Sequence, residues 1–182
     1  VVQAFRVAEG AMIPALVNLD AFYVSHAMEP VEVPAAADVD AWLPPFAPEH
    51  RLDTSKAESW GNVVSPDMFF RHRQAIEQAM EGVPARLAEA DGDWQRRFGR
   101  SWGVVERYRC DGADTVVVTM GSLCGTARDA VDAMREAGEH VGLVKVRLFR
   151  PFSARHLLAA LPGSVRAIAV LDRTKEPGAP GE

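Results

Sequence analysis

The stretch "TVVVTMGSLCGTARDAVDAMREAGEHVGLVKVRLF", residues 115–149, decides the fold. It opens on "TVVVTM", 115–120, a run rich in β-branched residues, which favours a pleated, half-buried strand. "GSLCG" then makes a tight turn, and Thr126 with Asp129 has the spacing of a capping box. Ala127, Ala130, Val131, Met134 and Ala137 recur at helical period, and Gly138 is placed to end that helix. "VGLVKVRLF" reads as a second strand. Beyond Arg150-Pro151, Ser153 can cap a short helix, "ARHLLAAL", closed by Pro162-Gly163, and "VRAIAVLD" reads as a third, buried strand. Strand, helix, strand, helix, strand in about 60 residues is the pattern of a parallel sheet with right-handed crossovers. The fold class is therefore α/β.

Upstream the pattern changes. "VQAFRVAEG" near the N-terminus looks helical, with no capping residue before it. Residues 13–24, "IPALVNLDAFYV", read as a buried strand with Asp20 toward its end. Five of the 12 prolines (Pro30, Pro34, Pro44, Pro45 and Pro48) then crowd one stretch, so residues 30–64 are expected to be extended, irregular chain. At Ser65-Pro66-Asp67 a helix start is encoded. Phe69, Ile76, Met80, Val83, Leu87, Ala90, Trp94 and Phe98 follow in one helical stripe that reads as a packing face. Pro84 within it predicts a kink or two abutting helices. A short strand is expected near Val104–Tyr108. Both ends of the chain read as lying inside a fold: the first residue is an apolar Val, and the last strand runs into "LDRTKEPGAPGE", 171–182, without a following element.

Composition bounds the function. Hydrophobic residues make up 48% and charged residues 25% of 182 residues, as in ordinary globular proteins. No apolar run reaches the roughly 18 residues of a membrane span, and no signal-peptide pattern opens the chain, so cytoplasm is the expected compartment. Net charge is −5 with no basic block, which argues against nucleic acid as a partner. The two cysteines, Cys110 and Cys124, cannot supply the four thiolates of an iron–sulfur cluster and read as reduced, buried thiols.

Ligands of open parallel sheets sit at the carboxyl ends of strands, here "MGSLCGT", "RPFS" and "LDRTKEPG". Gly121 and Gly125 make GxxxG and not GxGxxG, and no Lys completes a Walker loop, so tight strand–helix packing accounts for them better than dinucleotide binding. Arg147, Arg150 and Arg173, in or just beyond strands, are expected to pair with acids at a domain or subunit interface. Asp20, Ser25 and His26 hold the residue types of a hydrolase triad. Ser and His are sequence neighbours, which face apart on a strand, and no GxSxG accompanies them. His50, His72, His140 and His156 show no metal spacing. The residues alone define no complete active site.

Several stretches, in order along the chain, are similar to one family, the α subunits of 2-oxoacid:ferredoxin oxidoreductases, closest to the pyruvate enzymes. "LVNLDAFYVSHAMEPVEVP" resembles the close of the family's thiamine-pyrimidine domain, "VDAWLPPF" and "LDTSKAESWG" its linker, and "FGRSWGVVERYR" the run-in to the next domain. "VVTMGSLCGTARDAVDAMREAGEHVGLVKVRLFRPF" and "VLDRTKEPGAPGE" resemble its transketolase C-terminal-like domain. The resemblance implies three parts: the end of a thiamine-pyrimidine domain over 1–29, a Pro-rich and helical linker over 30–105, and a truncated transketolase C-terminal-like domain over 106–182. It implies pyruvate decarboxylation on thiamine diphosphate and Mg²⁺, electrons passed through iron–sulfur clusters to ferredoxin or flavodoxin, and CoA as acyl acceptor. The resemblance implies that the diphosphate and Mg²⁺ motif belongs to the β subunit, that the cluster cysteines lie on other subunits or domains, and that the partners are β, γ and δ-type subunits. No catalytic residue carries over to this chain; Asp20, Ser25 and His26, by a strand end, are expected near the thiamine pocket. A 2-oxoglutarate, branched 2-oxoacid or oxalate enzyme is the neighbouring alternative, and a free-standing nucleotide-binding or regulatory module the alternative from another class.

Overall fold

The structure is a computed structural model and describes residues 1–48 and 50–173. Two compact units divide the chain: residues 1–17 with 31–100, and residues 18–30 with 101–182.

The first unit is helical. It comprises α1 (Val2–Ala11), α2 (Ala36–Trp42), α3 (Pro66–Glu81) and α4 (Val83–Phe98). Pro66 stands at the start of α3, where its missing N–H costs nothing, and Ser65 is the N-cap residue. Pro84 produces two abutting helices rather than a kink; Gly82 is at once the end of α3 and the start of α4. The apolar stripe divides with them. Val83, Leu87, Ala90 and Trp94 are buried on α4, whereas Phe69 and Ile76 of α3 are 56% and 43% exposed. Helical period shows that residues share a face, and α3 shares its face without covering it. The short α2 is not legible among the prolines. It occupies the proline-free interval between Pro34 and Pro44 and ends on Trp42, which packs edge-on to Trp94 at 5.0 Å. Gln3 of α1 donates a buried hydrogen bond to Asp91 of α4 at 3.1 Å, and Arg6 pairs with Asp93 at 2.5 Å.

The second unit carries the sheet: β1 (Val105–Tyr108), β2 (Thr115–Thr119), β3 (Val141–Val146) and β4 (Ala167–Val170), with α5 (Leu123–Glu136) and α6 (Ala154–Ala160). Strand order is β1-β3-β2-β4. β2 pairs in parallel with β3 and β4, so the expected α/β crossovers form; β1 joins antiparallel at the edge of β3. The alternation of strand side chains splits the core between the two faces. Val116, Val118, Val144 and Val146 pack with Ala160 of α6. Val141 and Leu143 pack with Ala127 and Val131 of α5. Ala130 and Met134 of α5 remain exposed, so its buried face is narrower than its apolar spacing suggests.

Three sequence expectations are corrected here. Residues 13–24 form no strand: 13–20 lack regular structure and 21–26 turn, with Leu16 89% and Leu19 70% exposed. A strand exists only by pairing, and the sheet is built from the four strands above. "VRAIAV" does form β4, but β4 pairs only with β2 and all four of its residues are exposed among the described residues. Finally, α5 starts at Leu123 with Ser122 as N-cap residue, so Thr126 lies inside the helix and caps nothing.

Candidate functional site

The sites expected at strand ends can be located in the second unit. β2 ends at Thr119, and the turn Met120–Ser122 reverses direction into α5. Gly121 holds φ of +70°, a conformation that glycine adopts without steric cost. A helix N-terminus presents unpaired N–H groups and a partial positive charge, which favour an anion. The anion found there is Asp20. Its Oδ2 accepts a hydrogen bond from the Ser122 N–H at 2.6 Å. A β-carbon on Gly121 would lie 2.8 Å from that oxygen, so the glycine also makes room for the carboxylate.

Arg173, just beyond β4, reaches the same oxygen at 3.4 Å and lies over the Tyr23 ring at 5.1 Å. The Ser122 hydroxyl and N–H together, aided by Arg173, hold the Asp20 carboxyl below the usual aspartate range. Thr119 Oγ1 donates to the Leu171 carbonyl at 2.8 Å and ties β2 to the start of this loop. Two positions singled out separately in the sequence, Asp20 and Arg173, thus meet in one cluster. The rest of "LDRTKEPGAPGE", residues 174–182, lies outside the described residues.

Ser25 and His26 sit in the turn that follows Asp20. Because the segment turns and is not a strand, these neighbours face each other: Ser25 Oγ lies 2.8 Å from His26 Nδ1 and accepts from the Phe22 N–H at 3.0 Å. The His26 ring stacks on Phe22 with centroids 4.8 Å apart. Asp20 is committed to Ser122 and Arg173, so the three do not act as a relay of the kind a hydrolase needs. Arg147 donates to the Gly103 carbonyl at 2.8 Å and lies over the Trp102 ring at 5.5 Å. Arg150 is exposed.

Sequence reasoning missed a polar group on the α5 face of the sheet. Glu106 of β1 and Lys145 of β3 are cross-strand partners, and Arg128 of α5 closes on Glu106 from above. Period-2 alternation places Glu106 and Lys145 on one face only once the antiparallel register is known. Cys124, in the first turn of α5, is buried, and that burial pushes its thiol up despite the cations nearby. Two open grooves lie in the first unit. One is lined by Arg6, Glu9, Arg86 and Glu89 with Pro44, Pro45 and Phe46; the other includes His50, Arg51 and Lys56. Neither includes a residue singled out for a site in the sequence.

The fit to a thiamine diphosphate can be tested on these residues. The anion position at the α5 N-terminus is filled by Asp20, whose negative charge opposes a diphosphate. Among the described residues no group of three or more His, Cys, Asp or Glu gathers to hold a metal ion. The diphosphate and Mg²⁺ end of the cofactor therefore does not fit the described residues. Tyr23, Ser25 and His26 offer aromatic faces and hydrogen-bonding atoms, but no phosphate cradle.

Fold and site define an α/β protein whose polar residues converge on the carboxyl ends of a mostly parallel sheet. Residues 1–91 match the family model "Pyruvate flavodoxin/ferredoxin oxidoreductase, thiamine diP-bdg", and residues 113–182 match "Pyruvate:ferredoxin oxidoreductase core domain II". The chain belongs to the pyruvate flavodoxin/ferredoxin oxidoreductase family. The pyruvate synthase subunit PorA of Methanothermobacter thermautotrophicus is 39% identical over 95% of this chain and 45% of its own length. A probable pyruvate-flavodoxin oxidoreductase of Escherichia coli is 39% identical over 93% of this chain and 15% of its own. The α subunit of an NADH-dependent phenylglyoxylate dehydrogenase from Aromatoleum evansii is 36% identical over 95% of this chain and 44% of its own. The chain thus spans less than half the length of these relatives. No helix among the described residues is long and apolar enough to cross a membrane.

Proposed function

We propose that this chain serves as part of the α subunit of a thiamine-diphosphate, iron–sulfur enzyme that oxidatively decarboxylates pyruvate to acetyl-CoA, or runs in reverse, with ferredoxin or flavodoxin as electron carrier. The observation that carries this reading is the order of the two family matches, which together take in both ends of the chain. Thiamine diphosphate carries the decarboxylation chemistry in such an enzyme, and protein groups position it. The poor fit of the described residues to diphosphate and Mg²⁺ supports placing those ligands on the β-type partner subunit, and the chain's two cysteines support placing the clusters on other subunits or domains, with γ and δ-type subunits as the further partners. Asp20, Ser25 and His26 are the residues proposed to approach the thiamine pocket. Arg147, Arg150 and Arg173 are proposed to face a domain or subunit boundary. The boundaries at 29 and 105 are proposed divisions of the longer subunit, and the cytoplasm is the proposed compartment.

The purified 182-residue chain is expected to give no pyruvate-dependent dye reduction in the presence of thiamine diphosphate, Mg²⁺ and CoA. Reduction by the chain alone would overturn the assignment of the missing chemistry to partners. A thermal shift with NAD or ATP, and none with partner subunits, would favour the free-standing module. A second reading rests on the Aromatoleum relative, named for phenylglyoxylate. Pyruvate and phenylglyoxylate are both 2-oxoacids, so the proposed substrate class extends to other 2-oxoacids, to be decided by comparing them on the assembled enzyme.

A further inference from the structure

Residues 18–30 form a strap grouped with the sheet they precede by more than 70 positions in the chain. Its local order is slight. Tyr23, Val24 and His26 donate backbone hydrogen bonds to Ala21, Asp20 and Phe22, at 2.8, 3.3 and 3.2 Å. Its side chains are largely exposed: Leu19 is 70%, Phe22 74% and Tyr23 69% exposed. Apolar burial therefore contributes little to holding it. The long-range polar contacts shown for the strap converge on one carboxylate, Asp20, and its partners Ser122 and Arg173. Arg173 also covers Tyr23. Hydrogen bonds to an ionised group are about twice as strong as neutral ones, and the α5 N-terminus adds a favourable field.

We propose that Asp20, Ser122 and Arg173 form a charge-dependent latch that closes the strap across the carboxyl end of the sheet and fixes the Tyr23–His26 turn there. The inference is independent of the substrate assigned above. Asp20 is a positioning residue in it: it contributes no chemistry, and its carboxylate determines whether the turn is held. Gly121 is part of the device, because any β-carbon there meets the carboxylate. The latch joins elements 102 residues apart at one bond, so its loss frees the strap without removing a core side chain.

Amide hydrogen exchange on the full chain tests this. In Asp20→Ala, the Tyr23, Val24 and His26 amides are expected to exchange at least about tenfold faster, with β2 and β3 amides changed less than about twofold. Arg173→Gln leaves the Ser122 bond in place and is expected to give a smaller, same-sign change of about threefold. About 1 M salt should speed strap exchange in the unmodified chain and leave it unchanged in Asp20→Ala, since at that ionic strength the field of an exposed charge is screened beyond about 3 Å. Unchanged strap exchange in Asp20→Ala would overturn the proposal. So would an equal rise in the β2 and β3 amides, which would mark Asp20 as a general stability residue. Should Asp20→Ala fail to fold, Arg173→Gln and the salt response decide the matter: strap exchange unmoved by both would overturn the latch.

Discussion

Gly142 lies in β3, the strand flanked by β1 and β2, where it pairs with Val116. A β-carbon placed on it would stand 2.9 Å from the Cys110 α-carbon, 3.0 Å from the Arg109 carbonyl oxygen and 3.2 Å from the Ala113 β-carbon. Those atoms belong to the turn joining β1 to β2, in which the Ala113 N–H donates to Cys110 at 3.0 Å and Ala113 is fully buried. The Cys110 thiol also donates to the Leu143 carbonyl at 3.2 Å, so the turn cannot back away without losing that contact.

Overpacking a tight site by one methyl costs roughly 1–3 kcal/mol, against a gain of about 0.4–1 kcal/mol from stiffening the unfolded chain. Gly142→Ala should therefore lose about 1–2 kcal/mol net, which corresponds to a 5–30-fold rise in the unfolded fraction. Gly125, in α5, is the control: it has nothing within 4 Å of its missing β-carbon, so Gly125→Ala should gain about 0.5–1 kcal/mol. The assay is hydrogen exchange of the slowest β2 and β3 amides, faster in the first variant and slower in the second. A Gly142→Ala protein as stable as the parent would refute the claim that backbone approach, and not turn propensity, demands this glycine.

Trp94 is 4% exposed between Trp42 and Phe98, at 5.0 and 4.1 Å between ring centres; Trp94→Ala should cost about 3–5 kcal/mol. Accelerated exchange of the α1 and α4 amides would show it, and unaltered protection would contradict the packing. Asp20 has a folded pKa below its unfolded value, so its contribution is present above about pH 4 and is lost as pH falls through the depressed folded value. Strap amides, corrected for intrinsic exchange, should lose protection in that acid window in the parent chain and show no such step in Asp20→Ala.

Much of the second unit is legible because its signals are local. The β-branched run at 115–119, the helical spacing after Leu123 and the Gly138 stop each depend on residues within a few positions, and each element formed. The direction of β1 is not local: "VERY" reads the same whether it pairs parallel or antiparallel, and only the partner strand decides. Burial is similarly relational. Ile168 and Val170 have the composition of a core strand, yet among the described residues β4 is an edge and the two are 51% and 72% exposed. Phe69 and Ile76 show the same limit on α3. An apolar period marks a face fit for burial, and the covering surface has to come from elsewhere.

The same distinction explains the site. The glycine turn "GSLCG" announces a helix N-terminus with donors to fill, and the missing GxGxxG and Walker Lys argue against a nucleotide. Those residues cannot say what does fill it. The answer is a carboxylate 102 positions upstream, in a segment whose apolar composition suggests a strand. Had the segment been a strand over 13–24 and stayed extended through 26, Ser25 and His26 would point to opposite sides and Asp20 would belong to a regular ladder. As a turn, the segment instead brings Ser25 against His26 and leaves Asp20 free to reach the α5 N-terminus. One change in the conformation of a dozen residues thus moves all three candidates together. The Asp20 carboxylate accepts from the Ser122 N–H and pairs with Arg173, so the helix N-terminus that could have taken an outside anion is filled from within the chain.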